Sequence, residues 1–313
     1  MDNTLYIIVP CYNEEDALPL TAPVLLEKLT ALAESGLAGE KSRILLVDDG
    51  SKDRTWEIIK TLHEGDKRFA ALRLSRNRGH QNALLAGLEY AAAHGDVCIS
   101  IDADLQDDVN AMDEMLRRYA EGCDVVYGVR SARSSDTFVK RFTAESYYKL
   151  IRALGGDIVF NHADYRLMSS RAVRALLEYP ERSLFLRGMV PMIGYRSATV
   201  EYERSARNAG ESKYSMKKML TLAVNGITAL SAKPIRMMTG FGALLFAAAL
   251  IAIIVMLICG ASAAAIAAVS AWGAAGLVLL ALGVLGEYIS HIYEEVKARP
   301  RYFIMDTLDE IEN

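Results

Sequence analysis

Short apolar runs alternate with longer amphipathic stretches over the first 210 residues of the chain. The runs that we predict to be strands lie at 5–9, 44–47, 70–74, 97–101 and 124–129, and the stretches that we predict to be helices at 14–33, 53–63, 79–94 and 110–121. This alternation predicts an α/β fold with an open, mainly parallel sheet. Because ligands of such sheets bind at the carboxyl ends of the strands, we expect functional residues directly after them.

A stretch without Asp, Glu, Lys, Arg or His runs from 237 to 286, a length of 50 residues. A helix that crosses about 30 Å of hydrocarbon needs roughly 20 residues, so this length predicts two transmembrane helices, near 237–259 and 267–289. A buried helical hairpin in a soluble core is the alternative, although soluble helices of this length carry a polar face.

The charges that flank the two predicted spans indicate their orientation. Lys233 and Arg236 precede the first span, and Lys297, Arg299 and Arg301 follow the second, whereas the segment between the spans has no charge. The positive-inside rule therefore predicts that both termini and the bulk of the chain are cytoplasmic.

Residues 213–232 show the apolar period of a helix, with three lysines clustered at its start. Seven basic residues and one acidic residue lie between 204 and 236. This pattern is typical of an amphipathic helix at an anionic membrane surface, with an ordinary helix packed on the domain as the alternative.

The predicted division of the chain is a cytoplasmic domain at 1–212, an amphipathic juxtamembrane helix at 213–234, a two-helix transmembrane hairpin at 235–291 and a cytoplasmic tail at 292–313.

Composition excludes several classes of protein. Hydrophobic residues make up 52% of the chain and charged residues 24%, which excludes a disordered chain. The 35 basic and 39 acidic residues nearly balance, so the overall charge does not indicate a protein that binds nucleic acid. The four cysteines form no C-x-x-C pair, which indicates a reducing compartment and no structural zinc.

Acidic motifs follow three of the predicted strands. P-C-Y-N-E begins at Pro10, D-D-G-S at Asp48, and D-A-D-L-Q at Asp102. In extended backbone, residues two apart face the same way, so Asp102, Asp104 and Gln106 are predicted to aim their oxygens at one point. Such oxygen ligands suit Mg²⁺ or Mn²⁺ bridging to substrate phosphates, although most D-x-D pairs are solvated turns.

The glycine patterns of two common nucleotide-binding classes are missing from the sequence. No G-x-G-x-x-G follows the first strand, and no G-x-x-x-x-G-K-[ST] occurs, so a dinucleotide dehydrogenase and a P-loop NTPase lose their main support. Acidic residues at the strand ends, two of them able to bind a metal ion, fit a sugar nucleotide better than either of these ligand classes.

Three motifs resemble those of family 2 inverting glycosyltransferases: V-P-C-Y-N-E-E at 9–15, V-D-D-G-S-K-D-R-T at 47–55 and D-A-D-L-Q at 102–106. Further motifs are similar to the polyprenyl-phosphate branch of that family, which includes dolichol-phosphate mannose synthase and the bactoprenol glucosyltransferases. They are N-R-G-H-Q-N-A at 77–83, G-V-R at 128–130, D-Y-R-L at 164–167, R-N-A-G-E-S-K-Y at 207–214, and G-E-Y at 286–288 with R-P-R-Y at 299–302.

The resemblance implies a GT-A type nucleotide-sugar-binding domain and a role for each matching residue. The residues expected to bind the nucleotide sugar are Pro10, Tyr12, Glu14, Asp48, Asp102, Asp104 and Arg207. The metal ligands would be Asp102, Asp104 and Gln106, and the catalytic set would be Asp102, Asp164 and Arg130. The residues expected at the acceptor phosphate are Arg130, Arg133, Arg141 and Lys213, with Lys140 beside them.

Some of these residues have a simpler interpretation. Arg133, Lys140 and Arg141 could be solvated surface charge, and Asp164 could be a turn or cap residue. Three further acids, Glu15, Asp107 and Asp108, are interpreted as surface charge or as partners of a helix start.

The function implied by the resemblance is transfer of a hexose, with inversion, from a nucleotide sugar to a membrane polyprenyl phosphate such as undecaprenyl phosphate. UDP-glucose is the favoured donor; GDP-mannose, UDP-galactose, UDP-N-acetylglucosamine and a modified arabinose are alternatives. The expected cofactor is Mg²⁺ or Mn²⁺, and the expected setting is a bacterial plasma membrane and the cell envelope, with no nucleic-acid partner. The resemblance also favours a homo-oligomer, such as a tetramer.

Two rival functions differ in class or in product. A processive polysaccharide synthase needs a Q-x-x-R-W motif, and neither Gln81 nor Gln106, the two glutamines of the chain, begins one. A membrane-anchored nucleotide-sugar binder without catalysis stays an alternative.

Because an acceptor phosphate monoester is largely a dianion at pH 7, we predict that no carboxylate is an obligatory general base.

Overall fold

The computed structural model of the protein describes residues 3–131, 162–182, 184–203 and 262–309, together with short pieces between 242 and 260. The chain divides into two compact units. The first combines Met1–Tyr148, Asp157–Tyr214 and Pro300–Asn313, and the second combines Lys149–Gly156 and Ser215–Arg299. The first unit is therefore built from segments on both sides of the second.

The described residues of the first unit alternate strand and helix as far as residue 130 and follow a less regular order after it. In chain order the elements are β1 (Leu5–Cys11), α1 (Leu18–Glu34), β2 (Arg43–Asp48), α2 (Thr55–Gly65), β3 (Phe69–Leu74), α3 (His80–His94), β4 (Val97–Ser100), α4 (Ala111–Ala120), β5 (Val125–Arg130), β6 (His162–Ser169), α5 (Ser170–Leu177), α6 (Leu186–Met192) and β7 (Ser197–Tyr202). They are followed by α7 (Ala263–Lys297) in the second unit and β8 (Ile304–Leu308) in the first.

All eight strands form one sheet, in the order β7-β5-β6-β4-β1-β2-β3-β8. The central strands β4, β1, β2 and β3 run parallel, and β5 pairs in parallel with β7. Two strands, β6 and β8, run antiparallel to their neighbours. The predicted α/β fold with a mainly parallel sheet is confirmed.

Both faces of the sheet are covered, which explains why its central strands are continuous apolar runs. Ile7 and Leu46 point into a core shared with α1, α2 and α4, whereas Ile8 and Leu45 point into a core shared with α3 and α5. Helix α3 packs closely on the sheet at Gly87, where an added Cβ would lie 2.5 Å from a methyl carbon of Ile8. The sheet is thereby a rigid support for whatever its strand ends carry.

The five predicted strands and four predicted helices all occur, with ends displaced by a few residues. The largest displacement is at α1, which begins at Leu18 rather than at 14 because the preceding residues form the turn after β1. The prediction did not include β6, α5, α6, β7 or β8.

Within the described ranges, one helix, α7, is long and apolar enough to cross a membrane, and it covers the second predicted span. The first span, near 237–259, is described only in short pieces, and the amphipathic helix predicted at 213–234 lies outside the described residues. The two-span hairpin therefore stays a prediction.

Candidate active site

The turns that follow β1 and β2 are joined by hydrogen bonds between two of the sequence motifs. The Asn13 N–H donates to Ser51 Oγ (3.0 Å), and the Lys52 N–H donates to Asn13 Oδ1 (2.9 Å). The Glu14 N–H donates to Thr55 Oγ1 (2.9 Å) at the start of α2. The two turns therefore form one connected wall at the carboxyl edge of the sheet.

Of the predicted nucleotide-binding residues, Tyr12 and Glu14 lie in this wall and Pro10 lies near the end of β1; all three are half-buried. Asp48, at the end of β2, lies behind it and is fully buried. Its Oδ1 accepts the Ser51 N–H (3.0 Å), so its first role in the fold is to close the turn after β2.

Asp49 and Gly50 attach the loop between β3 and α3 to this turn. The buried carboxylate of Asp49 accepts the N–H groups of Arg78 (2.7 Å) and Gly79 (2.8 Å). Gly50 has a φ of +66°, and a Cβ there would lie 2.6 Å from the carbonyl carbon of Arg76. The D-D-G motif thereby fixes the point at which α3 begins.

Asp102 and Asp164 are brought together by the antiparallel pairing of β4 and β6. Ser100, the last residue of β4, is paired with Arg166, so Asp102 and Asp164 lie two residues further along at the same edge. The imidazole of His80, the first residue of α3, lies beside both: its Nε2 is 3.8 Å from Asp102 Oδ1 and 3.7 Å from Asp164 Oδ2. The motif at 77–83 thus contributes directly to the site.

Two arginines surround the Asp164 carboxylate. Arg166 Nη2 donates to Oδ1 (2.7 Å), and Arg187 donates to Oδ1 through Nε (3.2 Å) and to Oδ2 through Nη2 (3.0 Å). Burial alone would raise the pKa of Asp164, but Arg187 and Arg166, helped by His80, hold it well below its usual range. Asp164 is therefore a fixed negative charge and not a turn or cap residue.

Asp102 has the opposite electrostatic environment. Partial removal from water raises the pKa of its carboxyl, and the carboxylates of Asp164, Asp107 and Asp104 raise it further, against the opposing effect of His80. The side chain is nevertheless 40% exposed, so an oxygen of Asp102 is accessible to a ligand.

The D-A-D-L-Q motif is a turn and not the extended segment that we predicted. Leu105 has a φ of +51°, which reverses the chain, and the Gln106 N–H donates to Asp104 Oδ1 (3.2 Å). The prediction that the alternation of a strand aligns Asp102, Asp104 and Gln106 is therefore wrong in its geometry. Short polar side chains that bond their own backbone favour such turns.

The chemistry of this site nevertheless suits a divalent cation. Hard carboxylate oxygens and a surplus of negative charge around Asp102 are what Mg²⁺ and Mn²⁺ need. In the part of the chain that the structure describes, no three His, Cys, Asp or Glu side chains are grouped as metal ligands. The metal and its three ligands stay a prediction.

Arg130, at the end of β5, reaches the same edge but is tied to a buried acid. Its Nη2 lies 3.2 Å from Asp107 Oδ1, and its Nε donates to the Tyr202 hydroxyl (3.3 Å). The Tyr202 hydroxyl itself donates to Asp107 Oδ1 (2.6 Å). The interpretation of Asp107 as surface charge is wrong, because it is buried and holds Arg130 in place.

Five residues with predicted roles at the phosphates lie outside the described residues: Arg133, Lys140, Arg141, Arg207 and Lys213. Their roles stay predictions.

Three residues of the site were missed by the sequence analysis: His80, Gln81 and Arg187. His80 and Gln81 stand inside a motif that we had quoted, and Gln81 Oε1 accepts the Leu186 N–H (3.1 Å) at the start of α6. No sequence pattern indicated Arg187, the next residue, because its partner Asp164 is 23 residues away in the chain and contacts it only in the folded structure.

Comparison with known proteins finds one family and relatives that cover most of the chain. The model of the family described as "Glycosyl transferase family 2" matches residues 6–177. An "uncharacterized glycosyltransferase", YkoT of Bacillus subtilis, is 48% identical over 305 residues, which cover 96% of this chain and 90% of YkoT. The "bactoprenol glucosyl transferase" of Shigella phage SfII is 38% identical over 307 residues, which cover 95% of this chain and 96% of the phage protein.

Among solved structures, the mannosyltransferase PcManGT of Pyrobaculum calidifontis is similar, with a TM-score of 0.48 and 16% sequence identity. The similarity covers 96% of this chain and 89% of PcManGT.

Proposed function

Because this chain belongs to glycosyl transferase family 2, in its polyprenyl-phosphate branch, we propose that it transfers glucose from UDP-glucose to the phosphate of undecaprenyl phosphate. The observation that carries the proposal is the meeting of Asp102 and Asp164 beside His80 at the carboxyl edge of the sheet. We choose glucose and a polyprenyl acceptor because several relatives are bactoprenol glucosyl transferases.

The reaction is an inverting displacement at the anomeric carbon. An oxygen of the acceptor phosphate forms the new bond, the bond from the sugar to the donor diphosphate breaks, and UDP leaves. Since the acceptor phosphate is largely a dianion at pH 7, no proton has to be removed from it. Asp164, whose pKa is held low by two arginines, is a poor base and suits a positioning role.

The difficulty of the reaction is to bring two anionic substrates together. Arg187 and Arg130 place positive charge at the edge of the site, and guanidinium groups bind phosphate oxygens in a fixed geometry. A divalent cation, Mg²⁺ or Mn²⁺, held by Asp102 with Asp104 and Gln106, would neutralise charge on the departing diphosphate.

The membrane arrangement is part of the same proposal. The acceptor tail stays in the bilayer, so the enzyme must work at headgroup level. The apolar helix α7 supports a membrane anchor. The second span and the cytoplasmic position of both termini are proposed from the charge-free run at 237–286 and the basic residues beside it. A homo-oligomer such as a tetramer is expected, and light scattering of the purified chain measures it.

The test is transfer of radiolabel by the full chain in detergent or in vesicles. UDP-[¹⁴C]glucose, undecaprenyl phosphate and Mg²⁺ or Mn²⁺ are expected to give a labelled lipid that extracts into organic solvent and is cleaved by mild acid. GDP-mannose, UDP-galactose and UDP-N-acetylglucosamine, labelled in the sugar, are the comparison donors. If another donor alone is used, the choice of sugar is wrong; if donors bind but none gives a lipid, the non-catalytic binder is favoured.

A further inference from the structure

The last strand of the sheet, β8, comes from the far end of the chain and lies against β3. The two strands are antiparallel, and Asp306 of β8 is paired directly with Arg73 of β3, next to an irregularity in the register. β8 is thereby an edge strand of the same sheet that carries the candidate active site.

Polar contacts hold the segment around β8 at both of its ends. Before the strand, Arg301 Nη2 donates to the carbonyl oxygens of Tyr179 (2.7 Å) and Glu181 (2.8 Å). After it, the buried carboxylate of Asp309 accepts the hydroxyl groups of Tyr6 (3.2 Å) and Tyr90 (3.1 Å). These contacts fix the position of Asp306 between them.

Arg73 lies between Asp306 and Asp48, the residue that closes the turn after β2. Its Nε is 3.5 Å from Asp48 Oδ2, and its Nη1 is 3.7 Å from Asp306 Oδ2. The guanidinium also lies over the ring of Trp56, 5.3 Å from the ring centre. Among the described residues no donor is hydrogen-bonded to Asp48 Oδ2, so Arg73 supplies the charge that this buried oxygen faces.

The remaining contacts of Asp48 lead into the wall of the site. Its Oδ1 accepts the Ser51 N–H, and Ser51 Oγ accepts the Asn13 N–H of the turn after β1. A shift of the Asp48 carboxylate would therefore move both turns at once. The turn after β1 carries Tyr12 and Glu14, which the family resemblance predicts to bind the nucleotide sugar.

We propose that Arg73 and Asp306 are positioning residues for the nucleotide of the donor. Asp306, supplied by the strand that follows the apolar helix, holds Arg73 in place, and Arg73 fixes the Asp48 side chain that shapes the two turns. This role rests on the proposed function, because it takes the wall at Tyr12 and Glu14 as the nucleotide site.

The experiment measures the Kd of UDP with Mg²⁺ by calorimetry, and kcat and KM for UDP-glucose, on the full chain in detergent. Arg73→Gln is expected to raise the Kd of UDP about five-fold or more, and Asp306→Asn about two- to five-fold, as for partly exposed ion pairs. For both variants kcat at saturating donor is expected to stay within about two-fold of wild type. Arg73→Lys and Asp306→Glu are expected to restore most of the affinity, and the exposed Glu64→Gln serves as a charge-matched control.

A double-mutant cycle separates positioning from general loss of structure. In an Asp48→Asn background, Arg73→Gln is expected to change the Kd of UDP less than about two-fold. Any of three results overturns the role. They are an undiminished effect of Arg73→Gln in that background, a UDP affinity of Asp306→Asn equal to that of Glu64→Gln, and a loss in kcat alone. If the wild-type chain binds neither UDP nor GDP, the proposed function fails and this role falls with it. If wild type binds UDP and Asp306→Asn binds it equally well, only the positioning role is wrong.

Discussion

The charge of Asp164 decides which chemistry the candidate site can perform. A carboxylate held by two arginines is already paired, and it stays ionised well below neutral pH. It can therefore orient the transferring sugar or the arginines beside it, but it has little tendency to take up a proton. This supports a mechanism in which the acceptor attacks as a ready-made anion.

We expect Asp164→Asn to lower stability at pH 7 by about 3 kcal/mol, because it leaves the buried Arg166 without a charged partner. The pKa of Asp164 is lower in the folded chain than in the unfolded chain, where it is about 3.9. The stabilisation is therefore fully present above about pH 4 and is lost as pH falls further. The difference in melting temperature between wild type and Asp164→Asn is therefore expected to be smaller at pH 3 than at pH 7.

The same variant tests the absence of a general base. If Asp164→Asn bound the donor normally but its activity rose steeply with pH, Asp164 would be acting as a base in the wild-type enzyme. An equal melting-temperature difference at every pH would show that folding does not lower the pKa of Asp164.

His80 is expected to matter for turnover more than for stability, since its imidazole lies between the two acidic residues of the site. We expect His80→Gln to lower kcat about ten-fold or more while the melting temperature changes little. The matched control is His94→Gln at the exposed other end of α3. Equal activities of the two variants in the radiolabel assay would exclude a role for His80.

How far the sequence predicted these residues depends on how local their contacts are. Asp48 and Asp102 were found because they follow apolar strands within recognisable motifs. Asp107 and Arg187 were not, because their partners are distant in the chain. Asp107 accepts the hydroxyl of Tyr202, and Arg187, in α6, donates to Asp164. A pattern along the chain does not contain contacts of that kind.

Among the secondary-structure elements that the sequence did not predict, β8 is separated from the rest of its sheet by the long helix α7. Its five residues, I-M-D-T-L, follow a long helix and lack the clear alternation of a half-buried strand. Ile304 and Met305 are exposed, so apolar burial contributes little of its attachment. The strand is defined by its partner β3 and by its polar anchors, which are distant in the chain.

We expect Asp309→Asn to destabilise the first unit by about 1–3 kcal/mol. The hydroxyl groups of Tyr6 and Tyr90 would lose a charged acceptor in a buried position, and Arg43 would lose a nearby negative charge. Denaturant unfolding of the full chain measures the change, with Glu34→Gln on an exposed position of α1 as control. A stability equal to that of the control would mean that β8 is held by other contacts.

In the chain as a whole, the catalytic unit is discontinuous, and this changes how the membrane part can be removed. Deleting 233–313 would remove the membrane segments but also β8, which completes the sheet. A deletion of 233–299, with a flexible Gly/Ser linker in its place, keeps residues 300–313.

We expect the linker variant to bind UDP nearly as well as the full chain and the variant that ends at 232 to bind it more weakly. Both are expected to lose transfer to long-chain undecaprenyl phosphate in vesicles, because the acceptor stays in the bilayer. Calorimetry with UDP and the radiolabel assay measure the two properties. Full activity of either variant on membrane-embedded lipid would contradict the proposed role of the membrane segments.

The position of β8 after α7 in the chain also fixes when the sheet can be completed during synthesis. Domains fold as they leave the ribosome, beginning with the N-terminal part. Here β1 to β7 emerge first, then α7, and the strand that carries Asp306 emerges last. A nascent chain therefore has most of its sheet but not its final edge until the apolar helix has left the ribosome. If Asp306 positions Arg73 as we propose, tight binding of the nucleotide begins only after the anchor has been made.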